Sequence, residues 1–358
     1  MFAKRRLLLC LFIGLPLVGF GLLVVSLASR RSAEEVLYQG KSIKAWTLQF
    51  YYQLDQKSQE EAKAAFKALG TNALPGLARL LGSQDSFWRV GIWSAGEKLP
   101  RPMRRVVLGT ARPPDTVGIR TAAAAALAFL GPEAKPAVPD LVQALGDLHP
   151  EVRWQAARAL ARIGEGAVPD LVAMLRDPHP DVRQAASFAL GEIGTAAAPA
   201  IPALIEGLKD HDGSVRERNV HTLSAIGRPA MPALLQTIEQ ERGLLRQGAA
   251  QALTQLYPLR RVAAPALLKM LQDEEAASRV QALESLGALS GRDATADEAV
   301  MAALKDPVPQ VRAAAAKALG QTIWKTNSAM PALVEASKDP VASVRNAASE
   351  ALQRIEAK

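Results

Sequence analysis

The sequence predicts an all-α chain: an α-solenoid of about ten antiparallel helix pairs, preceded by one transmembrane or signal helix. Three observations predict it. An arginine returns at Arg89, Arg120, Arg153, Arg183, Arg216, Arg246, Arg279, Arg312 and Arg345, at intervals of 30 to 33 residues, and a near-fixed period of this size marks stacked repeats. Apolar residues recur with helical spacing, and long alternating β-branched runs are absent, so no sheet is expected. Finally, the 22 residues from Leu7 to Ala28 carry no charge.

The chain divides into an N-terminal segment (1–30), a linker (31–40) and the solenoid (41–358). At about 1.5 Å per helical residue, Leu7–Ala28 is long enough for the roughly 30 Å apolar core of a bilayer. Two readings stay open: an uncleaved anchor, or a signal peptide with Ser26 and Ala28 ahead of a cleavage site. Lys4, Arg5 and Arg6 precede the run and Arg30 and Arg31 follow it. This bias favours a cytoplasmic N-terminus, with a single-pass membrane protein holding its solenoid outside, in the periplasm or extracellular space. The alternative is secretion after signal cleavage.

The formal net charge is +8, but five of the 43 basic residues and none of the 35 acids lie in residues 1–31. The remaining 38 basic residues against 35 acids leave +3, which argues against a nucleic-acid-binding face. The single cysteine, Cys10, falls in the apolar run, so a Cys-based zinc site or an internal disulfide is excluded.

The repeat reads in order along the chain. The first pair, near 43–69, has Gln59 where the arginine is due and reads as an N-terminal cap, with Trp46, Phe50 and Tyr51 covering the end of the stack. Residues 137–164 read AVPDLVQALGDLHPEVRWQAARALARIG, and 167–194 read AVPDLVAMLRDPHPDVRQAASFALGEIG. Each unit is a short apolar helix, a turn, a second helix and a glycine stop. Pro139, Pro169, Pro202, Pro232, Pro265 and Pro331 fall in the first turn of the first helix, where the missing N–H costs nothing. Pro150, Pro180, Pro307 and Pro340 stop helix continuation in the turn. Gly131, Gly164, Gly194 and Gly227 match a left-handed helix-ending residue. The second helix places Val152, Ala156, Leu160 and Ile163 on one face, and Val182, Ala186, Leu190 and Ile193 on the same face of the next unit. The last helix, 342–356, carries Glu350, Arg354 and Glu356 and suits a solvated cap.

This run of Asp, turn, Val-Arg, Ala-Ala, Ala-Leu and Ile-Gly resembles HEAT repeats, especially the short kind also found in phycobilisome lyase-like proteins. The match is strong over 118–227 and 296–355, weaker at 228–292 and faintest at 41–117. The resemblance implies a superhelical scaffold in which turn aspartates and repeat arginines pair within and between repeats. The structural ladder comprises Arg120, Arg153, Arg183, Arg216, Arg312 and Arg345 with Asp147, Asp177, Asp210, Asp306 and Asp339. The competing reading is an anion-binding series. His149 and His179 share a turn position, but no third ligand follows the pattern and no metal is expected.

Function is expected on the side of the second helix away from the core, one and five residues after each arginine. The resemblance places this stripe on the concave surface. Trp154 and Phe188 stand out there, with Arg158, Gln184, Glu217 and His221 around them, as a partner-binding patch. A second candidate is the basic stretch with Lys98, Arg101, Arg104, Arg105 and Arg112, suited to anionic headgroups. Gly-rich phosphate loops, HExxH and GxSxG are absent, so no catalytic residue, cofactor or metal is expected. The chain therefore reads as a non-catalytic, membrane-tethered protein–protein interaction scaffold. The alternatives are a lyase-like enzyme or enzyme subunit, and a nucleic-acid-binding solenoid.

Overall fold

The structure is a computed structural model that describes residues 36–52, 55–83, 115–256, 262–289, 294–321 and 329–356. The apolar N-terminal run, Arg89 and the basic stretch from Lys98 to Arg112 lie outside the described residues.

Eighteen α-helices are described: α1 (Ile43–Tyr52), α2 (Gln56–Leu69), α3 (Leu74–Leu81), α4 (Thr116–Leu130), α5 (Val138–Ala144), α6 (Pro150–Ile163), α7 (Val168–Met174), α8 (Pro180–Ile193), α9 (Ile201–Glu206), α10 (Gly213–Ile226), α11 (Met231–Gln240), α12 (Gly243–Gln255), α13 (Ala264–Met270), α14 (Ala276–Leu289), α15 (Ala294–Ala302), α16 (Pro309–Gln321), α17 (Ala329–Ala336) and α18 (Ala342–Glu356). From α3 onward they alternate between two layers. The odd-numbered helices form layer A, the even-numbered ones layer B, and neighbours within a layer pack on one another along the stack. Each odd helix and the even helix after it make one hairpin. Eight such repeats, numbered two to nine below, follow the N-terminal pair α1–α2.

The layer A helices span six to ten residues, and six of the eight open on proline: Pro75, Pro139, Pro169, Pro202, Pro232 and Pro265 sit at their first or second position. Layer B helices are longer and carry the core. Val152, Ala156, Leu160 and Ile163 are all buried. The third residue after seven of the arginines (Ala123, Ala156, Ala186, Ala249, Ala282, Ala315 and Ala348) has no exposed surface, and after Arg216 it is the buried Asn219. A methyl group there lets neighbouring layer B helices approach closely, while leucines such as Leu160, Leu190 and Leu223 fill the space between layers.

Gly70, Gly131, Gly164, Gly194 and Gly227 end layer B helices with φ between +50° and +82°. The positive φ follows the sequence, but ψ lies between −130° and −140° rather than in the left-handed helical well. This is the mirror image of extended backbone, which a side chain disfavours. It turns the chain straight into a 3₁₀ segment such as Gly131–Ala137 or Gly194–Ala200, which delivers the next layer A helix. At Gly164 an added Cβ would meet nothing within 4 Å, so backbone geometry alone demands glycine.

The continuous helical run Pro180–Lys209 has the length and hydropathy of a membrane span. Gly194 breaks it into the second helix of one repeat and the first of the next. A small antiparallel hairpin, β1 (Leu37–Tyr38) with β2 (Lys41–Ser42), is the one sheet among the described residues. It departs from the expectation of none, because Gln39 and Gly40 take the two positive φ values of a tight hairpin turn. The Trp46 indole N–H donates to the Tyr38 carbonyl at 3.0 Å and fastens this hairpin to α1. Trp46 is buried and Phe50 packs between Phe66 and Phe129, with ring centroids at 5.9 and 5.5 Å. Tyr51, expected to help cover the stack, is exposed instead.

At the start of the stack α3 pairs with α4, and these two helices touch α5 and α6 of the next repeat. The Arg120 Nη1 donates to the Ser83 carbonyl at 2.9 Å, the bond that later arginines make to the turn immediately before their own helix. Residues 84–114, which fall between α3 and α4 in sequence, lie outside the described residues.

Candidate functional site

The turns between layers carry a repeated electrostatic device. The Asp147 side chain accepts the backbone N–H two residues on, from His149, at 2.9 Å, and Asp177, Asp210, Asp273, Asp306 and Asp339 do the same in their turns. The arginine six residues later returns to the carbonyl of that aspartate: Arg153 to Asp147, Arg183 to Asp177, Arg216 to Asp210, Arg312 to Asp306 and Arg345 to Asp339, at 2.7–2.9 Å. Each arginine thereby closes its own turn.

The same guanidinium also reaches the next repeat. Arg183 grips Asp210 with two parallel bonds of 2.7 Å. Arg279–Asp306 and Arg312–Asp339 repeat this fork, Arg120 pairs with Asp147, and Arg246 pairs with Asp273. The aspartates of these five rungs keep between 7% and 13% of their side-chain surface. Burial alone would raise Asp210 and Asp306, yet the bonds from Arg183 and Arg279 hold both below the usual carboxylate range. The bond from Arg312 lowers Asp339, and the aspartates in turn raise Arg183 and Arg312.

Two expected rungs differ. Arg153 does not reach the Asp177 carboxylate; it pairs at 2.7 Å with Asp181, which is 62% exposed, while Asp177 contacts its neighbour His179. Arg216 receives no carboxylate, because the following turn has Gln240, six residues before Arg246, where an aspartate is due. The five closed rungs all span arginine intervals of 33 residues; the two exceptions span intervals of 30. The shorter units have a 3₁₀ connection of three or four residues (Gly164–Ala167, Arg228–Ala230) where Gly131–Ala137 and Gly194–Ala200 have seven. Losing one 3₁₀ turn shifts the next hairpin along its neighbour. Arg345 has no later repeat among the described residues and bonds only its own turn.

On the layer B face, Trp154 of α6 and Phe188 of α8 are half-buried and meet edge to face, with centroids 5.0 Å apart. The residue over them is Arg218 of α10, which the sequence reading missed: its guanidinium carbon lies 5.9 Å from the Trp154 ring and 5.6 Å from the Phe188 ring. One signal for it existed. The same repeat position is held by alanine at Ala122, Ala185, Ala314 and Ala347. Arg158, expected beside the aromatic pair, is exposed and lines a groove of about 560 Å³ with Arg162, Phe50, Phe129, Ala125 and Ala128. Gln184 is half-buried. Glu217 and His221 are exposed further along, His221 reaching Gln255 at 3.0 Å and Glu217 at 3.9 Å.

Beneath this face a small polar network crosses from α8 to α10. Ser187 donates to Asn219, and Thr222 donates to the Ser187 carbonyl, at 2.7 and 2.8 Å, all three buried. Buried polar groups satisfied in this way fix the register of the two helices. Gly207 leaves room for the Asn219 amide, which an added Cβ would meet at 2.1 Å. Among the described residues no group of three His, Cys, Asp or Glu side chains is placed to hold a metal.

No curated protein sequence matches the chain. Among solved structures, it is similar to an engineered protein at 20% identity, covering 88% of this chain and 98% of that one, with a TM-score of 0.35. It is similar to a chain of the Kap95:Nup1 complex at 14% identity, over 87% of this chain and 50% of that one, with a TM-score of 0.49. The CpcE–CpcF complex of phycocyanin lyase from Nostoc sp. is 26% identical over 42% of this chain and 97% of its own, with a TM-score of 0.35. The HEAT repeats family profile matches residues 111–175, 168–254 and 264–353, well over half of the sequence, and so the chain belongs to the HEAT-repeat family.

Proposed function

We propose that the protein is a non-catalytic scaffold that binds another protein on the layer B face of its solenoid. The observation that carries this reading is the Trp154–Phe188 pair, two large aromatic rings left half-exposed by adjacent repeats at 5.0 Å. Aromatic side chains that keep solvent contact on a repeat surface have the composition of binding hot spots. Repeat solenoids offer long surfaces of this kind, and membership of the HEAT-repeat family supports a binding role. The N-terminal apolar run supports tethering to a membrane, with a cytoplasmic N-terminus and the solenoid on the far side.

The test uses the full chain expressed in its own membrane, with a photo-crosslinking amino acid at Trp154 or Phe188. The expected result is one discrete adduct. It should vanish when the probe stays at Phe188 and Trp154→Ala is added, while thermal unfolding moves by less than the several degrees expected of a buried tryptophan truncation. An adduct unaffected by Trp154→Ala, or equally strong with probes on layer A, would place the partner surface elsewhere.

A further inference from the structure

We propose that the layer B face of repeats three to five takes an extended acidic peptide segment, with one carboxylate seated on Arg218 against Trp154 and Phe188. This rests on the reading of that face as a protein-binding surface.

Arg218 is unlike the arginines of the turns. Those each donate at least one bond to a backbone carbonyl, apart from Arg246, which is answered by Asp273. Among the described residues Arg218 has neither: no acid lies within 4.0 Å of it, and its Nε is buried without a hydrogen-bond partner. The two rings hold the guanidinium by cation–π contact. The two rings stand at 89° to one another, and the guanidinium N–H groups that they leave free suit bidentate bonds to a carboxylate.

A second basic point stands two repeats away. Trp154, Arg158 and Arg162 follow at intervals of four along one face of α6, and neither arginine has an ion pair among the described residues. Both line the groove floored by Phe50 and Phe129. With neighbouring helices about 8–10 Å apart, the α6 and α10 backbones lie about 16–20 Å apart, and the Arg218 guanidinium reaches back to within 5.9 Å of the Trp154 ring on α6. An extended chain crossing from α6 to α10 covers that width in five or six residues at about 3.3 Å each. The face therefore fits two carboxylates up to six residues apart with an apolar side chain between them. The acids of this region, Glu192 and Glu217, are exposed, and neither pairs with these arginines. Glu217 and, further along, Glu284 and Glu350 mark the C-terminal limit of the basic stretch.

The test measures fluorescence anisotropy with the full-length chain and labelled twelve-residue peptides. One carries two glutamates six apart around a leucine; in matched peptides the glutamates become glutamine or lysine. A twelve-nucleotide oligothymidylate is the fourth probe. The acidic peptide should bind at least tenfold more tightly than the glutamine and lysine peptides. Arg218→Gln should remove that preference, and Arg218→Lys, which keeps the charge and loses the fork, should retain part of it. Should Arg218→Gln unfold the chain, Arg218→Lys and Arg158→Gln carry the same comparison. Equal binding of all peptides, an acidic preference that survives both Arg218 variants, or tighter binding of the oligonucleotide would each overturn the proposal. If the Trp154 crosslink is captured while the acidic preference is absent, this inference fails and the protein-binding reading stands. If both are absent, both fail.

Discussion

Repeats joined at an interval of 33 residues and repeats joined at 30 use the same residues differently. At the longer interval the arginine of one repeat grips the aspartate of the next turn, as Arg183 grips Asp210, with both side chains mostly covered. At the shorter interval, after Arg153 and after Arg216, that fork is missing: one arginine turns to the exposed Asp181 and the other stays with its own turn. A shared motif therefore does not imply a shared interaction. Three residues of connecting 3₁₀ helix decide whether adjacent turns are locked by charge. The aromatic pair Trp154–Phe188 bridges one of these short joints, where packing on the open face takes over part of what the ladder does elsewhere.

The largest effect separating the two kinds of joint should come from the arginines. Removing one member of a largely buried ion pair strands the other, so Arg183→Ala should lower unfolding stability by about 3 kcal/mol. Arg183→Lys should recover only part of it, since an ammonium cannot make both parallel bonds. Arg216→Ala, with no carboxylate to strand, should cost about 1 kcal/mol, the scale of lost neutral hydrogen bonds. Chemical denaturation of the three variants reads this directly, and equal losses for Arg183→Ala and Arg216→Ala would erase the distinction.

A smaller effect tests what the two kinds of joint have in common. Gly164 precedes a short connection and Gly194 a long one, and both hold positive φ with ψ near −135°. Replacing either with alanine should cost about 1–3 kcal/mol from backbone strain alone. Similar melting shifts for both variants would show that the helix stop does not depend on the length of the connection.

The smallest effect is in pH. The Asp210, Asp306 and Asp339 carboxyls are held below their ordinary value in the folded chain. Their contribution is complete above the unfolded carboxylate value near about pH 4 and is lost as pH falls through the lower folded values. Stability carried by these groups should therefore be level from about pH 8 to 5 and decline below about pH 4. Asp339→Asn should flatten part of that decline.

Much of the fold was legible because single residues carry single duties. A glycine after many of the long helices, a proline opening most of the short ones and alanine three places past seven of the arginines leave few alternatives for the backbone. The pairing was less legible, since an arginine has one aspartate in its own turn and another in the next, and sequence spacing alone does not say which atom of each it meets. Arg218 was legible only as a departure from alanine at its repeat position; the contact that matters joins three helices and has no signature along the chain.

The turn at Gln240, which offers Arg216 no carboxylate, has a consequence for how the chain folds. A linear array behaves as a row of units coupled to their neighbours, and its cooperativity is set by the weakest coupling. The joint between repeats five and six keeps polar bonds from Ser224 to the Ala252 carbonyl and between His221 and Gln255, but lacks the charged clasp of its neighbours. Unfolding should break there first, so that the repeats before it and those after it melt as two blocks. Gln240→Asp restores the missing aspartate, but this joint has the short interval at which Arg153 pairs with Asp181 instead of Asp177, so the gain should be smaller than at a 33-residue joint.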